Sequence, residues 1–189
     1  TGVKGVGDVL NSSETVIQKY IKDNTSNKYA TAVIGKWHLS GNNTGFNPET
    51  FGIDYYAGLI RGTADDYYQW QLTEDGTSTQ QTTYITEKFT DLAINWVNDQ
   101  SKPWFLWLAY NAPHTPFHVP PSEMHSQGNL TAYTNGMDAT PYFMASIEAM
   151  DYQIGRFLAS IPADEKENTI IIFIGDNGTT NTVAQSPYS

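Results

Sequence analysis

A lysine, two histidines, an aspartate and an asparagine stand directly behind apolar runs at three well-separated points of the chain. Lys36 and His38 lie in Gly35-Lys36-Trp37-His38-Leu39, which follows the run at residues 30–34. His114 lies in Asn111-Ala112-Pro113-His114-Thr115-Pro116, behind residues 104–110. Asp176 and Asn177 lie in Gly175-Asp176-Asn177-Gly178, behind residues 169–174. A lysine is a compact point charge, and a histidine exchanges a proton near neutrality. A carboxylate beside an amide carbonyl offers hard oxygen donors, which suit Ca2+ or Mg2+ and not a soft metal. That is an inventory for handling an anion with a metal ion.

The elements that must position these side chains follow from the same runs. Continuous β-branched and aromatic stretches suit strands buried on both faces. In an open, mostly parallel sheet, ligand sites collect at the carboxyl ends of the strands, so the three motifs are expected at one rim. Residues 13–21 read as an amphipathic helix with Val16, Ile17, Tyr20 and Ile21 on one face. Residues 84–98 hold the clearest helix, with Ile85, Phe89, Leu92, Ala93, Trp96 and Val97 at the helical period. A second long helix is expected over residues 141–160, with Met144, Ile147, Met150, Ile154, Phe157 and Leu158 facing inward. Residues 52–60 and 67–72 read as strands, separated by a polar turn at residues 61–66. Residues 40–50 and 73–81 read as loop or turn, residues 113–136 as an irregular proline-bearing excursion, and residues 162–168 as a polar link. Helices alternating with strands indicate an α/β layered fold.

At 189 residues the chain is long enough for one packed domain. Its net charge of −10, from 20 acidic against 10 basic residues, argues against nucleic acid and anionic membrane, which need a basic face. No apolar run approaches the roughly 20 residues that span a bilayer, and no signal peptide pattern opens the chain. With no cysteine, thiolate metal sites and cysteine nucleophiles are excluded within these residues. His114 and His118 are four apart, but the intervening Pro116 excludes a helical zinc-binding pair. His118 and His125 are assigned to the substrate pocket or the surface.

Taken together, the three motifs resemble the sulfatase family, within the larger alkaline-phosphatase-like group. Gly35-Lys36-Trp37-His38-Leu39 resembles the family's second signature. Residues 104–116 resemble its central strand and histidine loop, and residues 172–178 the strand ending in its metal-binding Asp-Asn pair. The resemblance implies a three-layer alkaline-phosphatase-like sheet with flanking helices, incomplete in this chain. The family's early aspartate pair is missing here. So is its Cys/Ser-x-Pro-x-Arg segment, whose first residue becomes formylglycine. Thr1-Gly2-Val3 resembles the stretch shortly after that segment. Residues 1–189 therefore read as one partial catalytic domain, lacking the nucleophile segment and the C-terminal part.

By resemblance Lys36 faces the sulfate, His38 acts as a base that helps release sulfate, and His114 helps protonate the departing alcohol or phenol. Asp176 and Asn177 bind Ca2+, with Mg2+ as the lesser choice, and His118 joins Lys36 and His114 as a substrate contact. The implied reaction is hydrolysis of a small-molecule or glycan sulfate ester by a formylglycine outside this chain. The parent protein is then an enzyme, periplasmic or secreted, and the isolated chain is inactive. The alternatives are a phosphatase or phosphonate monoester hydrolase of the same superfamily, or a non-catalytic relative that binds sulfated glycans.

Overall fold

A computed structural model describes residues 7–41 and 47–185. Residues 1–3 and part of the loop expected over 40–50 lie outside the described residues. The chain divides into two compact units, Thr1–Asn111 and Ala112–Ser189.

The first unit is a five-stranded sheet with flanking helices. Its elements are α1 (Ile17–Asn24), β1 (Ala30–Lys36), β2 (Tyr55–Leu59), β3 (Trp70–Glu74), β4 (Thr77–Gln81), α2 (Ile85–Asn98) and β5 (Trp104–Ala109). The strand order is β4-β3-β2-β1-β5. β1 is parallel to both β2 and β5, whereas β3 runs antiparallel to β2 and to β4. The sheet is thus mixed, not mostly parallel. β3 and β4 are joined by Asp75-Gly76, a two-residue turn with both φ positive, at 46° and 76°, the geometry that matches strand twist in a hairpin. This hairpin replaces the loop expected over residues 73–81. β4 is polar throughout, so no alternation marks it. Cross-strand contacts hold it, including Thr73 to Ser78 at 3.1 Å.

β1 lies inside the sheet, between β2 and β5. All of its first six residues are buried, because neighbours cover both edges. Val33 joins Trp37, Phe51, Ile53, Tyr56 and Ile60 in one apolar cluster, with Leu10, Val16 and Leu39 packed against it. Ala32 and Ile34 point to the opposite face and are also fully buried. α2 packs on β1, β2 and β5 and buries Ile85, Phe89, Leu92, Ala93 and Val97, as the period requires. Thr86 and Thr90 join that buried stripe. Trp70 sets its ring edge-on to Phe89 at 5.5 Å, tying β3 to α2. α1 starts later than expected and turns a different face inward. Gln18 is buried, while Ile17 and Tyr20 are exposed.

The Asp54 carboxylate fastens α1 to the start of β1. It pairs with Lys22 and accepts from Thr31 N at 3.0 Å and Thr31 Oγ1 at 3.1 Å. Burial alone would raise its pKa, but the Lys22 and Thr31 hydrogen bonds hold it below the usual carboxylate value. β5 closes the sheet on one side and is only half-buried, with Trp107 46% exposed. The expectation of a strand buried on both faces is corrected there: the β5 face that carries Trp107 is left partly uncovered.

The second unit holds an irregular stretch, α3 (Thr140–Ser160) and α4 (Ala163–Glu167). α4 forms where a polar link was expected. On α3 the fully buried stripe is Tyr142, Ala145, Ser146, Ala149 and Gln153. The larger Ile147, Met150, Ile154, Phe157 and Leu158 are half-buried beside it, and Met144 is exposed. Residues 169–174 form no strand among the described residues, contrary to expectation. Ile170, Ile172 and Phe173 are 88%, 76% and 74% exposed. A strand exists through its hydrogen-bonded neighbour, and no described strand pairs with this run.

Candidate functional site

In the first unit the site grows from the carboxyl ends of β1, β2 and β5, which parallel pairing brings to the same side. Lys36 is the last residue of β1, in register with Leu59 at the end of β2. It is half-buried and makes no ion pair among the described residues. Directly before it, Gly35 adopts φ +114°, and a Cβ there would lie 2.0 Å from the Ala109 carbonyl oxygen. Only glycine lets β1 and β5 approach this closely directly before Lys36.

Trp37 anchors the turn. Its backbone N–H donates to Leu59 O at 3.1 Å. Its buried ring meets Tyr56 edge-on at 6.0 Å and Phe51 at 6.3 Å. His38 follows at φ +58°, a left-handed conformation uncommon outside glycine. It sits against Gly62, where a Cβ would fall 2.2 Å from His38 Cβ. Ser40 Oγ donates to Ile60 O at 2.9 Å, and buried Asn111 donates from Nδ2 to Gly62 O at 3.2 Å. The structure thus brings Lys36 and His38 together with Arg61, Gly62 and Asn111. Reading the sequence for chemistry passed over Asn111 and Arg61. Arg61 was visible as one of few cations, and Asn111 as the residue closing the strongest apolar run.

In the second unit, His114 is exposed and His118 half-buried, both on the loop that precedes α3. His114 Nδ1 lies 2.8 Å from Thr115 O, and His118 Nδ1 lies 2.9 Å from Pro116 O. A carbonyl oxygen only accepts, so Nδ1 carries hydrogen in both rings. Phe117 packs edge-on to Tyr133 at 5.2 Å, and Tyr133 to Tyr142 of α3 at 5.1 Å, which fixes the loop on the helix. His125 lies farther along, its Nδ1 accepting from Gln127 N at 3.3 Å.

Asp176 and Asn177 follow the unpaired apolar run and are exposed. Among the described residues no group of three or more His, Asp or Glu side chains could hold a metal ion. The pair's oxygens are of the right type for Ca2+ but supply only two of the six to eight that it takes. No helix among the described residues is long and apolar enough to cross a membrane.

The sulfatase family model matches residues 17–184. YdeN of Escherichia coli (strain K12), an uncharacterised sulfatase, is 30% identical over 177 residues, covering 79% of this chain and 31% of its own length. The structure of Ps i-CgsB in complex with k-i-k-neocarrahexaose superimposes with a TM-score of 0.68 at 25% identity, over 86% of this chain and 39% of that one. BT4656 in complex with its substrate D-glucosamine-2-N,6-O-disulfate superimposes with a TM-score of 0.54 at 27% identity, over 65% of this chain and 24% of that one. The chain spans about a third of the length of the curated relatives it matches.

Proposed function

The chain belongs to the sulfatase family, and on that premise we propose that it forms part of a sulfuric-ester hydrolase acting on sulfate monoesters. The observation that carries this reading is Lys36 at the carboxyl end of β1, in no ion pair among the described residues of a chain of net charge −10, with His38 set two residues beyond it. A cation in that position suits an anionic substrate group. The ammonium of Lys36 offsets charge on the sulfate oxygens. His114, protonated at Nε2, gives its proton to the leaving alcohol or phenol, a general-acid role. His38 takes a proton as sulfate departs, and His118 contacts the substrate beside His114.

Asp176 and Asn177 would hold Ca2+ together with ligands from elsewhere in the protein. The hydrated formylglycine, made from a Cys or Ser outside this chain, would supply the attacking oxygen, and Ca2+ would neutralise sulfate charge. The complexes of Ps i-CgsB with k-i-k-neocarrahexaose and of BT4656 with D-glucosamine-2-N,6-O-disulfate support a glycan sulfate ester as substrate.

The test uses the longer protein that this reading requires, co-produced with the formylglycine-forming machinery. Hydrolysis of 4-nitrophenyl sulfate and 4-nitrophenyl phosphate is compared with and without chelator. Chelator-sensitive turnover of the sulfate is expected, with kcat lowered roughly 10²–10⁴-fold in His114→Ala. Preference for the phosphate would move the protein to a phosphatase branch. Turnover indifferent to His114→Ala would remove the general-acid assignment.

A further inference from the structure

We propose that Arg61 is a specificity-determining cation of this site, which reads a second anionic group, sulfate or carboxylate, on a polyanionic sulfated glycan. The proposal rests on the sulfatase reading and deepens it.

The placement comes first. β2 ends at Leu59, opposite Lys36 of β1, so Arg61 stands two residues past the end of the strand beside the lysine. Adjacent strands lie about 5 Å apart, so the two cations rise from neighbouring backbones. Arg61 also sits on a fixed turn. Gly62 N donates to Leu59 O at 2.9 Å, Ser40 Oγ to Ile60 O at 2.9 Å and Asn111 Nδ2 to Gly62 O at 3.2 Å. Gly62, at φ +76°, is wedged against His38. Ile60 and Gly62 on either side are buried, while Arg61 itself is exposed. The fold therefore holds this backbone rigidly at the rim and leaves the side chain in solvent.

The charge comes second. Acidic residues outnumber basic ones by 20 to 10, so counter-ions abound, yet Arg61 forms no ion pair among the described residues. The pairs found are Lys19 with Asp23 and Lys22 with Asp54. The nearby Asp66 turns to its own chain, accepting from the backbone N–H groups of Tyr68 and Gln69. An arginine whose backbone is anchored and which forms no ion pair among the described residues has its planar fork available for an oxyanion, which it meets with two parallel hydrogen bonds. Lys36 serves the ester being cleaved. A second cation on the neighbouring strand serves a charge elsewhere on the same glycan, which a simple aryl sulfate lacks.

The experiment compares wild type, Arg61→Ala and Arg61→Lys in the longer protein, after thermal unfolding has shown that all three fold. The probes are 4-nitrophenyl sulfate and a sulfated neocarrahexaose bearing several sulfates. Arg61→Ala is expected to raise KM for the hexasaccharide about tenfold more than KM for the aryl sulfate, the loss of one charge-assisted contact. Arg61→Lys should recover part of that difference, and added NaCl should shrink it. An equal KM change for both probes, or a loss confined to kcat, would overturn the proposal. If wild type cleaves neither probe, the sulfatase reading fails separately, and calorimetric binding of the hexasaccharide decides for Arg61. Affinity about tenfold weaker in Arg61→Ala would support it, and equal affinity or no binding by wild type would overturn it.

Discussion

Replacing Gly35 by alanine would place a Cβ 2.0 Å from the carbonyl oxygen and 2.7 Å from the carbonyl carbon of Ala109. Ordinary contact begins near 3.4 Å, so β5 would have to retreat by over an ångström along the pairing that fixes the register of β1. Those neighbours are backbone atoms, which cannot swing aside. Forcing one methyl into a packed interior costs about 1–3 kcal/mol. Holding alanine at φ +114° costs about 1–3 kcal/mol more. The sum, about 2–6 kcal/mol, is a large part of the 5–15 kcal/mol that ordinarily keeps a domain folded. Two other glycines separate the contributions. Gly76, at φ +76° with nothing within 4 Å, should lose about 1–2 kcal/mol from strain alone. Gly155, inside α3 with open space around it, should gain about 0.5–1 kcal/mol as alanine. Urea unfolding of the three variants reads these as midpoint shifts at constant slope. Gly35→Ala falling within about 0.5 kcal/mol of Gly76→Ala would mean that β1 and β5 do not approach as closely as described, and the reasoning would be wrong.

Asp75 offers a pH test. Burial, followed by hydrogen bonding and charge from Glu49 and charge from Glu74, pushes its carboxyl up from 3.8 to about 6. The folded chain therefore keeps a proton between pH 4 and 6 that the unfolded chain releases, so this group's contribution falls as pH rises through that window. Asp75→Asn, which tolerates the positive φ, should raise the melting temperature at pH 7 and leave it unchanged near pH 4. The gain is about 1 kcal/mol or less, because solvent screens this mostly exposed group; an equal gain at both pH values would refute it. At the other motif, Asp176→Ala in the longer protein should weaken Ca2+ binding measured by calorimetry at least tenfold, and unchanged affinity would remove Asp176 from the ligand set.

The candidate site was legible to the extent that its chemistry sits in contiguous motifs. Lys36 and His38 are where the end of an apolar run puts them, and the α2 period named its buried face almost residue by residue. What failed to show was whatever depends on a neighbour. β4 carries no apolar alternation because both its faces meet solvent, and only the Asp75-Gly76 turn hinted at a hairpin. On α3 the small residues Ala145, Ser146 and Ala149 are buried and larger ones lie beside them, because close packing favours small side chains where elements approach most nearly.

By itself the sequence determined the identity of the chemical groups, the apolar period of α2, the buried strand β1 and the family to which the chain belongs. Tertiary structure alone decided that, among the described residues, 104–109 end the sheet and 169–174 pair with no strand, and that Asn111 and Ser40 fasten the Arg61 turn beside His38. The physical reason is one of range. Propensity and periodicity are carried by a residue and its neighbours in the chain, whereas strand pairing, close backbone approach and a buried hydrogen bond each need a partner distant in sequence.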